Sequence, residues 1–177
     1  LNYSGGDIDI TDNAANLISA GDHVLNVTGV DVVTVNDAVT GSKVTANDGA
    51  ILAGFTADVE FDVADDVGAL KSVMGTNDPA SYLTEANSIT VNDGTGSSVV
   101  NANDGAILAG FTADVEFDVV DTANLVAAEV AGSGYGSGSL DEANDLVVSG
   151  GDVDTAAAAA IQQISEYNES GSSYEIT

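Results

Sequence analysis

Apolar and polar residues alternate strictly over 57–63. Ala57, Val59, Phe61 and Val63 fall on one face, and Asp58, Glu60 and Asp62 on the other. A period of two predicts a β-strand with one buried and one acidic face. Just upstream, Ala50, Ile51, Leu52 and Phe55 recur at helical spacing behind Asn47-Asp48-Gly49. Asp48 is placed to cap that helix, and Gly54 weakens its last turn. The N-terminal stretch follows the same logic. Ile8 and Ile10 alternate with Asp7 and Asp9, then Asp12 caps a short Ala-rich helix that Gly21-Asp22 ends. The β-branched run 24–35 predicts one or two strands broken near Gly29. Asn36-Asp37 and Thr40-Gly41 are turn chemistry. Later segments predict a strand over 146–149, an Ala helix over 156–164 and a closing strand over 174–177. The segment 75–82, with Pro79, and the Gly/Ser run 132–138 are loops.

One block of this pattern occurs twice. Residues 46–63 and 102–119 both read ANDGAILAGFTADVEFDV, identical at all 18 positions and offset by 56 residues. The match extends upstream, since Thr34-Val35-Asn36-Asp37 answers Thr90-Val91-Asn92-Asp93. A fainter third copy follows, in which Asp121-Thr122-Ala123-Asn124-Leu125 resembles Asp12-Asn13-Ala14-Ala15-Asn16-Leu17. Asp12, Asp65 and Asp121 therefore mark equivalent points. They divide the chain into repeat units 1–64, 65–120 and 121–177. Thr177 stands where Thr11 and Ala64 stand, one residue before such an Asp. The expectation is an array that continues beyond both ends. Each unit of about 56 residues reads strand, helix, strand, helix, which predicts an α/β fold built as an elongated tandem-repeat stack. Because the second helices are short, an all-β solenoid or sandwich with short helices is the rival architecture.

Composition narrows the function. The 177 residues hold 29 Asp and Glu against two Lys and no Arg, a net charge of −27. No basic patch exists to meet phosphates, so nucleic acid is excluded as a direct partner. Anionic membrane surfaces are disfavoured for the same reason. With 44% hydrophobic residues the chain is too apolar for an acidic disordered tail. A folded chain with this charge repels itself and calls for counterions. Cysteine is absent, which removes disulfide and thiol chemistry. No apolar run approaches the roughly 18 residues of a membrane-spanning helix, so no membrane insertion is expected.

Candidate chemistry lies on the acidic strand faces. Asp7 and Asp9 align with Glu60 and Asp62, with Glu116 and Asp118, and with Glu175. Stacked in register, these carboxylates would form ladders with a spacing of about 4.8 Å. Like charges so placed are destabilising. Cations between the rungs would relieve them, and an all-oxygen environment suits Ca²⁺. The plainer alternative is a solvated face screened by salt. Gly5-Gly6-Asp7-Ile8-Asp9 and Gly150-Gly151-Asp152-Val153-Asp154 resemble fragments of the Ca²⁺-binding glycine-aspartate nonapeptide, without its tandem repetition. His23, the only histidine, has no second His or Cys with which to hold a transition metal. No nucleophile elbow or phosphate loop is present, so no enzyme is expected. Three N-x-[S/T] triplets, at Asn2, Asn26 and Asn168, permit glycosylation without requiring it.

The run Ile10-Thr11-Asp12-Asn13-Ala14-Ala15-Asn16-Leu17, its echo Val119-Val120-Asp121-Thr122-Ala123-Asn124-Leu125, and Leu146-Val147-Val148 with the following 154–161 together resemble tandem repeats of very large secreted bacterial cell-surface proteins, including those of cyanobacteria and marine bacteria. The resemblance implies an extracellular structural or adhesive role, often with Ca²⁺, and transfers no catalytic residue. The expectation is an extracellular structural repeat protein forming a rod, surface layer or filament. It would join end to end with copies of itself or neighbouring repeats. The rival is an adhesin or virion-appendage module that recognises a surface glycan. Its binding residues would be Tyr82 and Tyr135, in the two least repetitive loops.

Overall fold

The structure is a computed structural model. It describes residues 8–26, 28–73, 83, 85–92, 97–110, 115–132 and 139–177. They fall into two compact units, one holding the described residues up to Thr90 and the other those from Val91 onward. The fold is mixed α/β, as the sequence predicts, and its strands pair in parallel.

The first unit runs β1 (Ile8–Asp12), α1 (Ala14–Ala20), α2 (Asp22–Leu25), β2 (Val30–Val35), β3 (Lys43–Val44), α3 (Ala46–Leu52), β4 (Val59–Asp65), α4 (Val67–Val73) and β5 (Ala86–Val91). The sheet order is β1-β2-β4-β5, with β3 also against β4. β2 pairs with the start of β4 (Val33 opposite Val59) and β3 with its end (Val44 opposite Val63). The two short strands thus act as one, interrupted by a turn in which the Asp37 and Gly41 amides and carbonyls exchange hydrogen bonds. Gly41 supplies the left-handed φ of 67° that closes this turn. Alternation in β4 buries Val59, Phe61 and Val63 against Leu52, Leu70, Leu83 and Ile89, which are also buried.

The second unit runs β6 (Val99–Val100), α5 (Ala102–Leu108), β7 (Val115–Glu116), β8 (Asp118–Asp121), α6 (Ala123–Gly132), a 3-10 turn (Ser139–Glu142), β9 (Asp145–Val153), α7 (Thr155–Ile161) and β10 (Ser173–Ile176). Its sheet order is β10-β9-β8-β6. The identical blocks share their helix and the pairing at the strand's end, although the continuous β4 of the first is divided into β7 and β8 in the second. Val100 stands opposite Val119, just as Val44 stands opposite Val63. β9 combines the roles of β2 and β3 in one strand, with Gly150 and Gly151 at φ 82° and 93° where the turn would lie.

The helix caps differ from expectation. Asn13, not Asp12, caps α1 by accepting from the Asn16 amide. Asp48 does not cap its helix. α3 starts earlier, at Ala46, and Thr45 caps it by accepting from the Asp48 amide. Asn101 does the same for α5. The glycine of each Asn-Asp-Gly triplet is a packing residue rather than a turn residue. A Cβ on Gly49 would lie 2.9 Å from Val63 Cγ2, and one on Gly105 2.8 Å from Val119 Cγ2. In the 24–35 run, only Val30–Val35 is strand, because Val24 and Leu25 belong to α2.

Candidate functional site

The most repetitive chemistry in the fold is a carboxylate that holds two helix N-termini. Asp65 ends β4. Its Oδ2 accepts the Ala46 amide at 3.0 Å, at the first turn of α3, and its Oδ1 accepts the Asp66 amide at 2.9 Å, where α4 begins. Asp121 repeats this with Ala102 at 3.0 Å and Thr122 at 2.7 Å. Free amides at a helix start carry partial positive charge, so a carboxylate there is favourable. Asp12 makes half of the same arrangement. Its Oδ1 accepts the Asn13 amide at 2.8 Å, while its Oδ2 meets no helix amide among the described residues. The sequence spacing identified these three residues as equivalent, and their geometry gives the reason.

Three residues earlier on the same strands lies a row of polar rungs. Asp62 accepts from the Ser42 hydroxyl on one side and, at 2.7 Å, from the Ser88 hydroxyl on the other. Asp118 accepts from Ser98 at 2.6 Å. Its other neighbour in register is Asp145, which accepts from Asn168 at 3.1 Å. A second carboxylate pair, Asp152 opposite Glu175, joins β9 to β10. It lines a cleft of about 470 Å³ with Gly150, Gly151, Ser173 and Tyr174.

No protein-family model, curated protein or solved structure matches this chain.

The seven expected ladder residues are placed as follows. Asp7 lies outside the described residues. Asp9 stands opposite Val32, and Glu60 opposite Thr34, so β2 separates the acidic strands β1 and β4. Asp62 stands opposite Lys43. Glu116 is exposed on β7. Only Asp118 and Glu175 adjoin another carboxylate in register, and their partners Asp145 and Asp152 were not among the expected residues. Both partners lie on β9, whose pairing is set by strand order and leaves no mark in local sequence. Among the described residues, no three His, Cys, Asp or Glu side chains gather to hold a metal. Ca²⁺ takes six to eight oxygens, so two carboxylates make a counterion site rather than a closed cage. Tyr82 and Tyr135 lie outside the described residues.

Two further carboxylates fasten turns that follow helices. Asp22 accepts from the Thr56 amide (2.6 Å), the Thr56 hydroxyl (2.7 Å) and the Ala57 amide (3.1 Å). The Thr56 hydroxyl, the two amides and nearby His23 hold its carboxyl below the usual range, against a smaller opposing effect of desolvation. Asp141 accepts in the same way from the Ser165 amide at 2.9 Å and its hydroxyl at 3.2 Å. Thr56 and Ser165 each lie four residues past the last residue of their helices, Leu52 and Ile161. Burial raises the Tyr167 phenol above its ordinary value, and a hydrogen bond with Tyr174 adds to this.

Proposed function

We propose that this chain is a non-catalytic structural repeat module of an extracellular assembly, a rod, surface layer or filament at the cell surface. It is joined end to end to copies of itself or to neighbouring repeats. The observation that carries this reading is the recurrence of one joint, a strand-end Asp holding a helix amide at 3.0 Å, at positions 56 residues apart. A joint that repeats in the chain direction extends a sheet by adding units, which is how quasi-one-dimensional proteins grow. The acidic faces keep such an assembly soluble, and cations, Ca²⁺ among them, offset the Asp118–Asp145 and Asp152–Glu175 repulsions. Electron microscopy and sedimentation at high protein concentration and high salt test the reading. Elongated, end-to-end particles are expected, and compact monomers under every condition would overturn it.

A further inference from the structure

Among the described residues, the sheet of the second unit has helices on one face only. α5 packs against α6 and α6 against α7. A Cβ on Gly105 of α5 would press on Val119, so these helices cover the Val119 face of β8. On the other face, register places Val99, Asp118 and Asp145 in one row and Val120 and Val147 in the next. Val99 is 46% exposed and Val120 37%. Asp118, Asp145 and Val147 are half-buried. Parallel sheets are ordinarily covered on both faces. The first unit holds a lysine in the matching row. There Lys43 stands opposite Asp62, and the Ser88 hydroxyl donates to Asp62 from the other side. In the second unit Val99 replaces Lys43 and Asp145 replaces Ser88, so two carboxylates adjoin with no cation in the row. No Lys, Arg or His occurs anywhere in 91–177.

We propose that this open face of β6, β8 and β9 docks a partner polypeptide that presents lysine or arginine beside apolar side chains. A lysine stem laid on Val120 and Val147 brings its ammonium to Asp118 and Asp145, about 6.6 Å back along the strands. Both carboxylates have room for it. Asp118 accepts from Ser98 and Asp145 from Asn168, and a carboxylate has about four lone-pair sites. Apolar side chains of the partner cover Val99. A second copy of this chain is a poor occupant, since it brings a net charge of −27 and two lysines. The docked ammonium takes the place of the counterion invoked above. The proposal goes beyond the structural role and holds whether or not copies join end to end.

Two short synthetic peptides of equal length and charge test this on the full chain. One alternates Lys with Val and the other Lys with Ser, both in about 0.15 M NaCl, where charges are screened beyond about 8 Å. Binding is read from the valine methyl resonances. The Lys-Val peptide should shift Val99, Val120 and Val147 and bind about tenfold more tightly than the Lys-Ser peptide. An Asp118→Asn, Asp145→Asn double variant should weaken it about tenfold more than a Glu129→Gln, Glu142→Gln double variant, which removes the same charge from α6 and the 3-10 turn. Equal binding of the two peptides would overturn the proposal, and so would equal losses in the two double variants. Either result makes the attraction one of overall charge. Binding that leaves the three valines unshifted would place the peptide elsewhere and overturn it as well. Shifts at these valines that grow with protein concentration, with no peptide present, would put a second copy on the face and refute a basic partner.

Discussion

Asp65 Oδ2 and the Ala46 amide lie 3.0 Å apart, although 19 residues separate them in the chain. The contact ties the end of β4 to the start of α3, while the other oxygen of the same carboxylate serves α4. Each bond is charge-assisted, the one to Ala46 part-buried and the one to Asp66 exposed, and charge-assisted bonds contribute about 1.5–3 kcal/mol. Asp65→Ala should therefore cost about 2–3 kcal/mol. Asp12→Ala, which loses the local bonds but no bond to an earlier helix, should cost about 1 kcal/mol. Chemical denaturation of the two variants checks this. Equal losses would mean that the second helix amide contributes nothing.

Gly49 and Gly105 lie at the closest approach of helix and strand. A methyl at either would press on a valine Cγ2 under 3 Å away, with Phe61 or Phe117 just beyond. Gly→Ala gains about 1 kcal/mol of helix propensity at an open site, but overpacking a core costs about 1–3 kcal/mol. The clash should win, so Gly49→Ala and Gly105→Ala should both be destabilising. Gly132→Ala, at the end of α6 with no tertiary neighbour within 4 Å of its Cβ position among the described residues, should be neutral or stabilising. Thermal melts of the three variants decide. A stabilised Gly49→Ala would mean that the helix can move off the sheet.

The α/β class and the alternation of β4 were legible, because strict period-two and helical patterns leave few alternatives. The equivalence of Asp12, Asp65 and Asp121 was legible as spacing, but its purpose was not. A helix amide 19 residues back is invisible without the fold. The helix start was misplaced because Asn-Asp-Gly reads as a turn, while Thr45 and Asn101, each three residues before an Asp, are the actual caps. A carboxylate ladder requires that like strands adjoin. Strand order is non-local, and β2 inserts Thr34 beside Glu60 while β5 brings Ser88 to Asp62.

The Asp22 clamp should open in acid. Its three donors favour the ionised carboxylate, so its folded pKa lies below the ordinary 3.8. A depressed pKa means that the stabilisation is complete above the unfolded value and fades as pH falls through the folded one. The Thr56 and Ala57 amide resonances should therefore titrate with a midpoint below 3.8. In Asp22→Asn the same titration should vanish. A midpoint at or above 3.8 would show that the clamp does not favour the charged form.

Salt and calcium should act separately, and their difference measures how the acidic faces are used. A net charge of −27 makes the folded state repel itself at every salt concentration below full screening. Sodium chloride should raise the melting temperature steadily as the screening length falls from about 10 Å at 0.1 M to about 3 Å at 1 M. The Asp118–Asp145 and Asp152–Glu175 pairs, at the inter-strand spacing of about 4.8 Å, lie well within the screening length at 0.1 M. Screening by monovalent ions reaches them least, so a divalent ion that bridges two carboxylates should add stability beyond matched ionic strength. That increment should reverse with chelator and shrink in an Asp145→Asn, Asp152→Asn double variant. Asparagine removes the repulsion as well as the cation's anchor, so this variant should melt higher than the parent without calcium and gain less from it. Melting curves that depend on ionic strength alone in both chains would make the acidic faces a solvated surface. The proposed assembly would then rest on strand pairing and the buried residues of β4 and β8.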